Sequence, residues 1–151
     1  MRLRILWVGK TKERFIDEGI KKYLKLLGPF AKAGIVEIKE EKGRPAGMAV
    51  WAEGRRILKQ SSSYILLDET GRPLSSKGLA SLLLNLNKVK ACGSLDFVIG
   101  GPYGVSEEVK AGASDTLSLS AMTLTHEMAR LVLIEQLYRA MTINAGRGYH
   151  H

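Results

Sequence analysis

Along this chain short, dense apolar runs alternate with longer stretches in which apolar side chains recur every three or four positions. Runs of the first kind predict buried strands, and stretches of the second predict helices that lay one face on a sheet. Leu3 to Val8 is the first strand, closed by Gly9. From Glu13 onward Phe15, Ile16, Ile20, Tyr23, Leu24 and Leu27 form one stripe, with Lys21, Lys22 and Lys25 between them. Gly28-Pro29 ends that helix: the glycine takes a left-handed closing position and the proline cannot continue the ladder. Gly34 to Lys39 alternates as a modest second strand, and Glu40 to Gly47, with only Ala46 to anchor it, predicts a mobile surface loop. Met48 to Lys59 returns to helical spacing through Val50, Trp51, Gly54, Ile57 and Leu58, which puts Trp51 in the core or at an interface.

Tyr64 to Leu67 is the third strand. It is expected to end at Asp68, because Asp68-Glu69-Thr70-Gly71-Arg72-Pro73 is rich in turn formers. Ser75 or Ser76 can cap the next helix, a contribution of about 1 kcal/mol, and Leu79, Leu82, Leu83 and Leu86 form its buried stripe. Leu95 to Ile99 is the fourth strand. Ser106 then caps a short helix that opens with Glu107 and Glu108, whose charge suits a helix N-terminus, and Gly112 closes it. Thr116 to Ser120 alternates as a fifth strand. Thr125 caps the last helix, whose broad apolar face runs through Ala129, Val132, Leu133, Gln136, Leu137 and Ala140. The order β-α-β-α-β-α-β-α-β-α predicts a single α/β domain spanning residues 1–151, with a mainly parallel sheet of about five strands flanked by helices.

Composition narrows the function classes. Hydrophobic residues at 45% and charged residues at 25% suit a globular domain and argue against disorder. Lys and Arg outnumber Asp and Glu by 23 to 15, a formal charge of +8, so the long-range field favours a polyanion such as nucleic acid. One cysteine, Cys92, permits no intrachain disulfide and no cysteine-based zinc cluster, and a reducing cytoplasm fits best. The apolar start is too short for a signal peptide and no window approaches a membrane span, so no membrane partner is expected. His126, His150 and His151 have poor spacing for a metal, and none is expected. Gly9 is followed by Lys10, Thr11 and Lys12 rather than a dinucleotide fingerprint, and no Walker A, Gly-x-Ser-x-Gly or His-Glu-x-x-His sequence occurs.

What remains is three strand-end loops: Leu67-Asp68-Glu69, Ile99-Gly100-Gly101-Pro102 and Leu119 to Leu124. In an open parallel sheet ligands lie beyond the carboxyl ends of the strands. Glycines there let a main chain approach a ligand closely or adopt positive φ. Backbone groups and apolar walls of this kind suit a heterocycle with a small polar edge more than a chain of phosphates. On spacing alone, glycines that merely make tight turns account for the pattern slightly better.

The combination Leu67-Asp68, Ile99-Gly100-Gly101-Pro102-x-Gly104, Leu119-Ser120-x-Met122-Thr123-Leu124-x-His126, Glu135-x-x-Tyr138-Arg139-Ala140 and a terminal Tyr149-His150 resembles the RlmH family over the whole chain. These are small SPOUT-class methyltransferases that modify N3 of a pseudouridine in large-subunit (23S) ribosomal RNA. The resemblance implies a C-terminal trefoil knot, a homodimer, a cytoplasmic enzyme and S-adenosylmethionine as cofactor. It implies cofactor contacts from Leu67, Gly100, Gly101, Leu119, Ser120, Ala121, Met122, Thr123 and Leu124, largely through main-chain groups. The family's C-terminal tail is implicated in substrate binding or catalysis, which makes Tyr149 and His150 catalytic candidates. The family usually ends in Tyr-His followed by Arg or Lys; here His151 replaces that cation.

Arg139, the third catalytic candidate, could hold an RNA phosphate or favour loss of the N3 proton. It could equally pair with Glu135, one helical turn earlier. His126 reads as a structural hydrogen-bonding residue rather than a base, and Tyr103 either flanks or covers the pocket mouth. Two rival readings stay open. A SPOUT enzyme acting on another RNA such as tRNA would methylate that RNA instead, and a basic RNA- or ribosome-binding factor without catalysis would have no affinity for the cofactor.

Overall fold

The computed structural model describes residues 1–89 and 93–148, so Cys92, Tyr149, His150 and His151 lie outside the described residues. Among the described residues five strands, β1 (Arg2–Val8), β2 (Lys32–Ile38), β3 (Tyr64–Pro73), β4 (Ser94–Ile99) and β5 (Asp115–Ser118), alternate with five helices. The helices are α1 (Arg14–Leu27), α2 (Ala46–Gln60), α3 (Ser76–Val89), α4 (Glu107–Gly112) and α5 (His126–Asn144). All strand pairs are parallel, in the order β2-β1-β4-β3-β5. The first strand is therefore interior, and Arg2 to Trp7 pair with Ser94 to Ile99 far along the chain.

Alternation along β1 sorts the core into two layers. Leu3, Ile5 and Trp7 face α1, α3 and α5 through Ile16, Ile20, Leu83, Leu133 and Leu137. Leu6 and Val8 face the other way, toward Ile57 of α2 and Val109 of α4. Helices cover both faces, which is why the central strands read as continuous apolar runs. Three helix starts form as their sequences predict. Ser75 Oγ accepts from Gly78 N at 3.0 Å, Ser106 Oγ from Val109 N at 3.3 Å and Thr125 Oγ1 from Met128 N at 3.2 Å.

Several expectations are corrected. Gly28 stays right-handed at φ −47°, so α1 ends through Pro29 and not through a left-handed glycine. Of the two places expected for Trp51, the core is ruled out: it is 62% exposed on the outer side of α2, because Ala49, Glu53 and Ile57 supply the buried face. Leu82 and Leu86 are only half-buried. The loop after β2 is anchored: Glu41 N donates to Glu53 Oε2 at 3.0 Å, and Arg56 and Arg44 both pair with the Glu41 carboxylate. The third strand does not stop at Asp68. It runs on to Pro73 through a bulge, with Leu67 and Arg72 both registered on Leu117 of β5. The fifth strand is shorter than read, ending at Ser118.

Candidate functional site

Parallel pairing places every strand's carboxyl end on one edge of the sheet. Over β3, β4 and β5 the loops that leave that edge surround a cavity of about 770 Å³. Its apolar wall includes Leu67, Ile99, Val105, Leu119 and Leu124; its polar groups include Asp68, Glu69, Lys110 and His126. The bulge in β3 exists because Gly71 lies almost against β5: a Cβ there would come within 2.6 Å of the Leu117 backbone. This approach pushes residues 68–71 out of the ladder and toward the cavity.

Each loop is then fixed by short polar contacts. Asp68 Oδ1 accepts from Thr70 N at 2.9 Å and Thr70 Oγ1 at 2.6 Å. Burial raises the Asp68 pKa, but these bonds and the charge of Lys110 outweigh it and leave the carboxyl below its ordinary range. Ser120 Oγ accepts from Met122 N at 2.9 Å, and Ser118 Oγ donates to Ser120 O at 2.9 Å, which sets the turn after β5. Gly101 and Gly104 form an isolated bridge, with Gly104 N donating to Gly101 O at 3.0 Å. A Cβ on Gly100 would meet the Gly104 backbone at 2.8 Å, whereas one on Gly101 would make only ordinary contacts, with the Val8 side chain at 3.4 Å and Glu53 Oε1 at 3.7 Å. Gly100 is thus demanded by the tight turn itself, and neither glycine needs positive φ.

Over β1 and β2 the same edge is filled rather than open. Arg130, on α5, is fully buried; its Nη2 donates to Val8 O at 2.6 Å, its Nη1 to Thr11 Oγ1 at 2.9 Å, and its guanidinium lies 4.9 Å from the Trp7 ring centroid. Glu127 Oε1 accepts from the backbone N of Lys12 at 2.8 Å and of Glu13 at 3.0 Å, which caps the start of α1 from a different helix. These two residues tie the β1–α1 loop to α5. Burial raises the Glu53 pKa, against the pull of the Glu41 N–H, so this carboxyl titrates above its ordinary range. The sequence patterns above single out neither Arg130 nor Glu127. The available signal was their spacing: 127, 130, 134 and 137 form a stripe that continues the buried face of α5.

Of the nine positions expected at the cofactor, Leu67, Gly100, Gly101, Leu119, Ser120, Met122, Thr123 and Leu124 line this one cavity. Ala121 is exposed and does not line it. Tyr103 stands at the rim, 71% exposed, and so flanks the opening without covering it. His126 lines the cavity from the first turn of α5. Its ring has no hydrogen bond among the described residues, which corrects its reading as a structural hydrogen-bonding residue. Arg139 is not part of the lining. It is forked onto Glu135 Oε1, through Nε at 3.2 Å and Nη2 at 2.9 Å, about 20 Å along α5 from His126 at ~1.5 Å per residue. Tyr149 and His150 lie outside the described residues. Among the described residues no helix is long and apolar enough to cross a membrane, and no cluster of His, Cys, Asp and Glu forms a metal site.

Comparison with known proteins extends over the whole chain. The family described as Predicted SPOUT methyltransferase matches residues 1–150. A protein of Geotalea daltonii named Ribosomal RNA large subunit methyltransferase H is 44% identical over 154 aligned positions, covering all of both chains. Its namesake in Thermodesulfovibrio yellowstonii is 46% identical over 151 positions, covering 99% of each. The crystal structure of a probable methyltransferase from Bordetella pertussis Tohama I superposes with a TM-score of 0.56 over 93% of this chain and 96% of that one. At 12% identity that likeness speaks for the fold alone.

Proposed function

Because the chain belongs to the SPOUT methyltransferase family, we propose that it uses S-adenosylmethionine to methylate N3 of a pseudouridine in large-subunit (23S) ribosomal RNA. The observation that carries this reading is that loops from three different strands, separated in sequence by up to 57 positions from Leu67 to Leu124, converge on one cavity. Its volume falls within the ~300–1,000 Å³ usual for small-molecule sites.

The lining suits such a cofactor. Leu67, Leu119 and Leu124 offer walls for an adenine, and the Gly100 turn is closed to side chains, leaving main chain at the surface. When bound, the cofactor supplies an electrophilic methyl group on a positively charged sulfur. Asp68 is held ionised by Thr70, so with Glu69 it places negative charge where a sulfonium would be stabilised. The work left to the protein is alignment of the nucleophile and help with loss of its proton.

Arg139, Tyr149 and His150 belong to this reading as groups that hold RNA or assist at N3. Arg139 is too far along α5 to reach the cavity of its own chain, so its role requires a homodimer in which one subunit's α5 and tail complete the other's site. A trefoil knot at β5 and α5 and a cytoplasmic location belong to the same reading, as does a single domain over residues 1–151. The +8 charge favours the RNA partner.

The test is transfer of labelled methyl from S-adenosylmethionine to ribosomes lacking this modification, with the labelled nucleoside identified. Label at N3 of a pseudouridine in large-subunit RNA is the expected result. Label on tRNA alone moves the substrate to another RNA, and salt-dependent RNA binding with no cofactor affinity leaves a non-catalytic binding factor.

A further inference from the structure

We propose that His126 is the general base that takes the proton from the methyl-accepting nitrogen; this rests on the reading of the cavity as a methyl-transfer site. The other titratable side chains of the lining are poorly suited to the task. Asp68 has its Oδ1 occupied by both Thr70 donors and is a weakened base for that reason. Glu69 is exposed to water and accepts from Thr123 Oγ1 at 3.4 Å. Lys110 lies 3.6 Å from Glu107 and carries no acceptor when charged. Tyr103 stands in solvent at the rim. His126 is half-buried in the wall, shares the first turn of α5 with Thr125 and Ala129 of the same lining, and spends neither ring nitrogen on another described residue.

Its surroundings keep an unprotonated ring nitrogen available. Burial first, and then the charge of Arg130 one turn on, hold the imidazole below its ordinary pKa; Lys12 from the β1–α1 loop acts in the same sense. Glu127 on α5 and Glu40 from the loop after β2 act against it, and the smaller acidic contribution loses. The positive end of α5 opposes protonation as well. The remaining charged groups on the cavity are Asp68 and Glu69 from the β3 bulge and Lys110 from α4. Arg130 therefore acts on the site without touching it. It is pinned by Val8 O, Thr11 and Trp7, and it fixes both the position of α5 and the charge behind the imidazole.

The step balances. The N–H proton passes to an imidazole nitrogen as the nitrogen's electron pair forms the new bond to the methyl carbon. The carbon–sulfur pair returns to sulfur, leaving a neutral thioether, and the imidazolium gives its proton to water once the site opens.

Single-turnover transfer to unmodified ribosomes, measured against pH with saturating S-adenosylmethionine, tests this. The wild-type rate reaches a plateau at or below neutral pH. His126→Asn and His126→Gln lower it by about 10²- to 10³-fold at neutral pH, and their rates rise tenfold per pH unit across the range where the wild type is flat. Donor affinity by calorimetry is retained. Variants that keep the wild-type plateau, whatever their amplitude, overturn the proposal. Should both variants fail to fold, the wild-type profile decides alone: a rate still climbing tenfold per unit above neutral pH overturns it, and a plateau supports it. A wild type that binds donor but labels no RNA brings down the methyl-transfer reading itself, a result distinct from an active wild type with indifferent variants.

Discussion

Over β4, β3 and β5 the loops at the sheet's carboxyl edge stand apart around a cavity, whereas over β1 and β2 the same edge is filled by side chains from α5 and α2. The β3 bulge aside, the backbone architecture is the same in both halves, since every strand is parallel. What differs is the source of the polar groups. In the open half, short side chains such as Asp68, Ser120 and Thr70 bond to their own loops and leave space beyond. In the filled half, long side chains such as Arg130, Glu127 and Glu53 reach across from helices to satisfy loops made elsewhere in the chain. A strand-end edge becomes a site where its loops satisfy themselves, and a scaffold where helices satisfy them.

The largest way to break this contrast is Arg130→Met. It removes a buried guanidinium on which Val8 O and Thr11 depend, and a loss of roughly 3 kcal/mol is expected. At ~2–4 °C per kcal/mol for a chain of this size, Tm in a calorimetric scan falls by about 6–12 °C. An unchanged Tm would show that the filled half is not a scaffold. Next comes the open half. Gly100→Ala drives a Cβ into the Gly104 backbone, while Gly101→Ala meets only the side chains of Val8 and Glu53 at ordinary contact distance. The first costs roughly 1–3 kcal/mol in fit, read as a tenfold or greater loss of donor affinity by titration calorimetry. The second is near neutral, and equal effects would dissolve the distinction drawn between the two glycines.

The smallest effects are in the pH dependence of stability, and they have opposite signs in the two halves. The raised pKa of Glu53 in the filled half comes mainly from burial. Its contribution is fully present below the ordinary glutamate pKa and is lost as pH rises through the raised folded value. Glu53→Gln keeps an acceptor for Glu41 N and flattens stability across that window just above the ordinary value. Asp115 closes the far side of the β3 bulge through Arg72, whose Nη2 lies 2.5 Å from Oδ2, and this hydrogen-bonded pair holds the carboxyl low. Its contribution is present above the ordinary aspartate pKa and is lost as pH falls through the depressed value. Asp115→Asn removes that acid-side loss. Urea unfolding across pH 3–7 reads both; slopes of the same sign would overturn the assignment.

Sequence reading found the open half and missed the filled one for a physical reason. Strand-end loops announce themselves locally, through apolar runs that stop at Asp68, Gly100 and Ser120, and helix caps such as Ser106 and Thr125 are equally local. Arg130 satisfies a carbonyl 122 positions away, and no local pattern records that. The turn formers after Leu67 misled because a bulge and a turn use the same residues. Only the approach of Gly71 to Leu117, a non-local contact, tells them apart. For Trp51 the sequence left core and interface open, because helical period identifies an apolar face without saying on which side the sheet lies; the exposed side excludes the core.

The same distant bond sets a clock on the ribosome. Val8 O is satisfied by Arg130, so the carbonyl at the end of the first strand waits through 122 residues of synthesis for its donor. At roughly 5–20 residues per second that is about 6–24 s. Over most of that time β1 also lacks β4, its neighbour on one side. The nascent chain carries a strand of Leu, Ile and Trp with an unpaired edge until β4 emerges, and the Val8 carbonyl still lacks its donor until the last helix follows.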